Sequence, residues 1–266
     1  MKQRIISAII MAVVFIPFLI IGELPFTIFM AALAVLGLYE LIDVRETKKE
    51  FPLLLKIIGF IMVTILTISN LDAMELTYVF DYRIVSVALF LFLTPMVFIH
   101  DYKKYNLEDA LFLIGSMLFI GLSFNLIVTT RMLDLKYMIY LLMITIFSDT
   151  FALITGSLVG RHKLCPNISP KKTIEGLVGG VVMGTFVSAA FYHTVINPEL
   201  SLWILVGLTI VLCLVGQLGD LVFSSIKRYY DVKDFSNFIP GHGGILDRFD
   251  SIIFVVFAFI IMVGIL

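Results

Sequence analysis

Apolar residues run along this chain in blocks of about membrane thickness, separated by short polar stretches. A transmembrane helix needs ~20 mostly apolar residues, with a range of about 17 to 25. Nine windows meet that pattern: 5–21, 25–41, 52–70, 84–99, 107–130, 135–160, 174–195, 202–226 and 249–266. The fourth is short, the sixth is long, and the ninth ends in Ser251–Leu266, sixteen residues without a charge. The pattern predicts an all-α, polytopic integral membrane protein with about nine transmembrane helices. The connections leave no room for a soluble domain. The first run follows Lys2 and Arg4, as a secretory leader would, but "IGELPF" after it has no small-x-small cleavage pattern. It reads as a retained first helix.

Composition strengthens this picture. The 266 residues are 60% hydrophobic and 15% charged, where soluble domains carry about 25% charge. The net charge of −1 says little, because in a membrane protein the placement of Lys and Arg sets orientation. With a cytoplasmic N-terminus, sixteen of the nineteen Lys and Arg fall in inside loops; Arg83, Arg131 and Lys136 fall outside. This predicts a multi-pass protein of the cell inner (plasma) membrane with an external C-terminus. The loops 161–173 and 227–248, the richest in polar residues, then share the cytoplasmic face. The chain divides into N-terminal helices, 1–130 (about five spans), and a C-terminal region, 131–266, that carries both loops. Cys165 and Cys213 form no CxxC or zinc-ligand spacing and are expected to be free thiols.

Two polar constellations carry the chemistry. In "FSDTFALITGSLVGRHKLCPNISPKKTIEGLVGG", Asp149 lies inside an apolar window, where an ionisable group usually faces a cavity or a partner. Ser148 or Thr150 could also satisfy it locally. Gly156 and Gly160, and Gly176, Gly180 and Gly184, recur at intervals of four, which lines a helix face with small residues and lets helices approach closely. In "SPKKT", Ser169 suits an N-cap and Pro170 the first helical position. Lys171 and Lys172 would then stand in a first turn against the positive end of the helix dipole, a placement that makes sense if an anion binds there. Ordinary positive-inside lysines are the alternative.

The second constellation is "GQLGDLVFSSIKRYYDVKDFSNFIPGHGGILDRFDS". Gln217 and Asp220 interrupt the eighth window, and Asp247 and Asp250 open the ninth. Mg²⁺ takes one or two carboxylates plus waters and substrate phosphates, so Asp220 and Asp247 are the expected metal ligands. Lys227, Arg228, Lys233 and Arg248 add positive charge, and Gly241, Gly243 and Gly244 permit close backbone approach. The set describes a metal-assisted phosphate site, against a bland reading of salt bridges and a flexible loop. A phosphomonoester nucleophile has its second pKa near 6 and needs no base. His242 is therefore expected to contact phosphate or to hold the loop.

"SIKRYYDVKDFSNFIPGHGGILDRFDS" resembles the signature of the phosphatidate cytidylyltransferases, or CDP-diacylglycerol synthases. The matching positions are Ser225, Lys227, Arg228, Lys233, Asp234, Pro240, His242, Gly243, Gly244, Asp247, Arg248 and Asp250. The stretch from Asp149 through "ISPKKTIEG" to Gly180 is similar to the family's upstream block. The resemblance covers about the last 120 residues. It implies transfer of a cytidylyl group from CTP to phosphatidate with release of pyrophosphate, a Mg²⁺ requirement with room for a second, monovalent or divalent cation, an aspartate pair at the metal, and a homodimer. The implied catalytic residues are Asp220, Asp247, Lys227, Arg228, Lys171 and Lys172. Asp149, Ser169, Thr173, Lys233, His242, Gly243, Gly244, Arg248 and Asp250 are the implied substrate-binding set. Partners are the two substrates and the bilayer, with no nucleic acid. One departure stands out: the family pattern often has Thr-Glu-Ser after its Gly-Asp-Leu, where this chain has Val222, Phe223 and Ser224. Phe223 lies three residues after Asp220, roughly on the same helical face, so Phe223→Glu is expected to be tolerated, with room for tighter Mg²⁺ binding. The competing readings are a CTP-dependent polyprenol-type lipid kinase, which would need a base at Asp149 or His242, and an ion-coupled transporter. Transporters place polar residues near the midplane, whereas here they crowd one face.

Overall fold

Every apolar window resolves into helix, because backbone N–H and C=O groups in lipid must be satisfied within their own segment. The computed structural model describes residues 2–69, 82–99 and 101–263; position 70 and residues 264–266, the ends of the third and ninth windows, lie outside the described residues. The helices are α1 (Lys2–Ile21), α2 (Glu23–Glu46), α3 (Leu53–Ile68), α4 (Tyr82–Leu93), α5 (Pro95–Phe98), α6 (Leu107–Leu133), α7 (Leu135–Val159), α8 (Ile174–Phe191, continued by a π turn to Ile196), α9 (Leu202–Tyr229) and α10 (Leu246–Met262). A short hairpin, β1 (Lys163–Cys165) and β2 (Ser169–Thr173), joins α7 to α8. Among the described residues, five helices (α2, α6, α7, α8 with its π turn, and α9) are long and apolar enough to cross a membrane, and three shorter apolar helical stretches accompany them. The chain is an all-α membrane protein. The fourth window is not one helix: it breaks at Thr94–Pro95, where Pro95 has no N–H for the preceding turn.

The chain forms two units. One holds Met1–Met132 and, returning from far along the chain, Asp234–Asp247; the other holds Leu133–Lys233 and Arg248–Leu266. The glycine-rich segment belongs with the N-terminal helices. In the first unit α2 packs on α1 and α3. Arg131, on α6, donates to the carbonyls of Leu19 (2.6 Å) and Ile20 (3.0 Å). It satisfies acceptors that the end of α1 leaves open. Asp109, fully buried, accepts from Arg45 at 3.0 Å and pairs with Lys49.

The second unit is built on glycine contacts. A Cβ added to Gly180 would lie 2.5 Å from the Ser148 carbonyl, and one at Gly176 would lie 2.7 Å from the Ala152 carbonyl. Helices α7 and α8 therefore meet backbone to backbone, as small-xxx-small spacing allows. On the other side, a Cβ at Gly219 would lie 2.7 Å from the Asp250 carbonyl, and one at Gly216 would lie 2.9 Å from the Val255 side chain. That sets α9 directly against α10.

One local expectation is overturned. Ser169 is not an N-cap, and Lys171 and Lys172 are not in a first helical turn. They lie on β2, and the cap of α8 is Thr173, whose hydroxyl accepts from the Gly176 N–H at 3.1 Å. Ser169 and Thr173 are both good caps, and the neighbouring chain decides between them. Lys163 pairs with Thr173 and Cys165 with Ser169 across the hairpin. Glu175, in the first turn of α8, accepts the backbone N–H groups of Arg161 (3.1 Å) and His162 (3.2 Å). These bonds hold residues 169–173 extended and start the helix only after them.

Candidate active site

Four elements of the second unit converge on one polar chain. Asp149 projects from α7, ten residues before the helix ends. Its Oδ1 accepts from Gln217 Nε2 at 2.9 Å and its Oδ2 from Ser251 Oγ at 3.4 Å. Ser148 and Thr150 are thus not its partners. Gln217, on α9, takes Lys172 Nζ at 3.2 Å on its Oε1. Lys172 reaches the Asp220 carboxylate at 2.7 Å, and Ser224 Oγ bonds Asp220 from one turn further along α9 at 3.3 Å. The result is a continuous line, Ser251–Asp149–Gln217–Lys172–Asp220–Ser224, drawn from α10, α7, α9 and β2. Successive strand residues point to opposite faces, so Lys172 enters this line while Lys171 stays exposed. Asp250, at the level of Gly219, has its Oδ1 on the Ser251 N–H at 2.8 Å.

The remaining residues of this unit have distinct uses. Arg228 donates to the carbonyls of Ile168 (3.2 Å) and Val232 (3.0 Å), tying the hairpin to the end of α9. Lys227 is buried, whereas Lys233 and Arg248 are exposed. Thr173 is buried with its hydroxyl engaged as the α8 cap. Cys165 and Cys213 are both free thiols.

Phe223 is the second correction. The sequence left room for a carboxylate at this position, but the ring is fully buried and meets Phe254 edge-on, with centroids 6.4 Å apart. Three residues from Asp220 is only roughly the same face, and α10 fills that side. Phe223→Glu is expected to lower the thermal stability of the detergent-solubilised protein by roughly 3–5 kcal/mol, the scale of an uncompensated buried charge. An unchanged melting temperature would mean that the position accepts a carboxylate after all.

The glycine-rich segment lies in the first unit and is held by two carboxylates. Asp247 Oδ2 accepts from the N–H groups of Phe235 and Gly244, each at 2.9 Å. Glu40, on α2, accepts from Ser236 Oγ (2.7 Å), Ile245 N–H (2.7 Å) and Leu246 N–H (2.9 Å). The Ile239-Pro240-Gly241-His242 turn closes through His242 N–H on the Ile239 carbonyl at 2.9 Å. Gly241 takes φ +79° there, as the third residue of a type II turn requires. His242 Nδ1 sits 2.7 Å from Ser7 Oγ, so its visible part is to hold the loop. A Cβ on Gly244 would fall against the Glu40 carboxylate, so a side chain there would displace it. Sequence reading missed Ser7 and Glu40. The available signal was an ionisable residue inside the second apolar window.

Known proteins agree with the motifs over the whole length. The cytidylyltransferase family matches residues 2–266. This chain belongs to that family. A phosphatidate cytidylyltransferase of Staphylococcus aureus (strain COL) is 38% identical over an alignment that covers 96% of each chain. That of Bacillus subtilis (strain 168) is 36% identical over 96% of this chain and 94% of its own. The match extends through α1 to α6, which the motifs alone left as generic apolar helices.

Proposed function

We propose that this chain is a phosphatidate cytidylyltransferase, joining phosphatidate and CTP into CDP-diacylglycerol and releasing pyrophosphate at the cytoplasmic edge of the membrane. The observation that carries it is the Lys172–Asp220 pair, set among membrane helices in a family whose relatives bear that name. A phosphate oxygen of phosphatidate attacks the α-phosphorus of CTP, and the bond to the β-phosphate oxygen breaks. The nucleophile is largely dianionic at neutral pH, so no residue need remove a proton. What the protein must supply is positive charge where negative charge gathers. Lys172 is aimed by Gln217 and Asp220, and Gln217 is itself held by Asp149. Lys171, Lys227, Arg228, Lys233 and Arg248 add to the positive surroundings.

Mg²⁺ belongs to the same proposal. The donors on hand are carboxylate and amide oxygens, hard ligands of the kind it takes. Among the described residues no three of His, Cys, Asp and Glu form a cage; one or two carboxylates with phosphate oxygens suffice for this ion. Asp220 would hold it; for Asp247, which belongs to the other unit, the D-R-x-D resemblance alone supports a ligand's part. A carboxylate has about four lone-pair sites, so the two N–H bonds at Asp247 do not preclude that part. When bound, the ion would screen the phosphates and stabilise the leaving pyrophosphate. The resemblance supports a homodimer.

The deciding experiment is purified protein with phosphatidate and labelled CTP, with and without Mg²⁺. CMP attached to lipid with pyrophosphate released is expected; phosphorylated lipid with CDP released would make it a lipid kinase. Within this chemistry, Lys172→Ala is expected to lower kcat/KM for CTP on the order of 10²-fold, the scale of one charge-stabilising donor. Lys171→Ala should change it much less. If both variants lose thermal stability and keep normal kinetics, the lysines are structural.

The orientation follows from the charge pattern, and the first unit is consistent with alternate crossings. Ser7, near the start of α1, and Glu40, near the end of α2, both reach the segment 234–247, while Arg131 meets the other end of α1. In a background lacking Cys165 and Cys213, a cysteine replacing Ser236 should be protected from a membrane-impermeant thiol reagent on intact cells. One replacing Asn197 should label. The reverse pattern would overturn the orientation.

A further inference from the structure

The first half of the chain carries a polar group with no part in the phosphate chemistry above, and its contacts are unusual for a membrane helix. Glu40 is 2% exposed, and both its oxygens face one short stretch 196 to 206 residues further along the chain. Oε1 takes the Ser236 hydroxyl and the Ile245 N–H; Oε2 takes the Leu246 N–H. Leu246 is the first residue of α10. N–H groups at a helix start lack intrahelical partners, so a carboxylate from α2 is acting as the cap of α10. Gly244 has no side chain where the Glu40 carboxylate lies, and Gly37, one turn earlier on α2, leaves room for Leu246, whose side chain would be 3.0 Å from a Cβ there. Ser7 adds a second anchor, with its Oγ 3.0 Å from the Pro240 carbonyl and 2.7 Å from His242 Nδ1.

We propose that Glu40 is a positioning residue of the cytidylyl-transfer reaction: from α2 it sets the conformation of residues 234–247, and with them the side chains of His242 and Asp247, with Ser7 as a lesser anchor on α1. This rests on the transferase reading given above. The N-terminal helices are then part of the enzyme's working apparatus and more than a membrane anchor. The chemistry requires a carboxylate. Three donors converge on two oxygens, and an amide would turn a donor of its own toward an N–H or hydroxyl that already donates.

The test compares Glu40→Gln, Glu40→Asp and Ser236→Ala with the wild type, in three readouts. These are steady-state kinetics with CTP and phosphatidate, thermal unfolding in detergent, and hydrogen exchange resolved by peptide. Glu40→Gln is expected to lower kcat roughly 10- to 100-fold, the scale for removing an outer partner that orients a ligand. Exchange should rise in peptides covering 234–247 and stay unchanged in α7 to α9. Glu40→Asp, which keeps the charge, should recover part of the rate. A Glu40→Gln enzyme with normal kcat overturns the proposal. So does a rate loss accompanied by faster exchange throughout and no recovery in Glu40→Asp, which would make Glu40 a general fold residue. Should Glu40→Gln fail to accumulate, Ser236→Ala decides, since it removes one of the three bonds and leaves the carboxylate paired. A lower kcat with faster loop exchange supports the proposal, and wild-type values in both overturn it. If the wild type makes no CDP-diacylglycerol, the functional reading fails on its own, and the exchange data still report whether Glu40 holds the loop.

Discussion

Asp220→Asn is expected to cut cytidylyl transfer roughly 10²- to 10³-fold, because the metal proposed at this carboxylate would supply several kcal/mol of charge stabilisation and each ~1.4 kcal/mol is tenfold in rate. The carboxylate lies 2.7 Å from Lys172 Nζ and is 28% exposed. Its neutral isostere therefore leaves no buried charge stranded, and the protein should remain folded. The substitution removes the counter-ion that aims Lys172 and weakens any hold on Mg²⁺. The two effects separate in one titration. If Asp220 is a ligand, the Mg²⁺ concentration for half-maximal rate rises steeply. If it only orients Lys172, that concentration stays and the KM for CTP rises. Near-normal turnover at ordinary Mg²⁺ would remove Asp220 from the site. Asp247→Asn is expected to abolish turnover too, and its amide oxygen can still accept the Phe235 and Gly244 N–H bonds.

The second large effect concerns the fold that carries the site. Gly180→Leu is expected to destabilise the protein by about 1–3 kcal/mol or more, the range for forcing extra atoms into a packed core. Activity should fall in parallel. The added Cβ would lie 2.5 Å from the Ser148 carbonyl and 2.9 Å from the Ala152 side chain. The first of these is backbone and cannot swing aside, so α8 must move off α7. Asp149 follows Ser148 directly and would lose its register with Gln217. Gly207→Ala is the control: nothing lies within 4 Å of a Cβ there, and helix propensity favours alanine by about 0.8–1 kcal/mol. Melting in detergent should show loss in the first variant and none in the second. Equal melting temperatures would mean that the α7–α8 contact is looser than described.

Much of this was already in the order of residues. The helices were legible because an apolar block in lipid has one local way to satisfy its backbone, through bonds four residues apart. The close α7–α8 approach was legible because glycines at intervals of four repeat on one face, which is again a local property. The run from Ser225 to Ser251 carried the resemblance to the family that residues 2–266 match. What local order could not decide was which of two competent caps starts α8. That choice went to Thr173 through pairing with the neighbouring strand and through Glu175 on the Arg161 and His162 N–H groups. Nor could it tell that Phe223 points into the α9–α10 contact, since a helix position has no meaning as inside or outside until a neighbour packs on it. Glu40 and Ser7 were the least legible of all. Their partners stand 206 and 235 residues along the chain, and a buried carboxylate's purpose is set by the donors brought to it, which only the tertiary structure supplies.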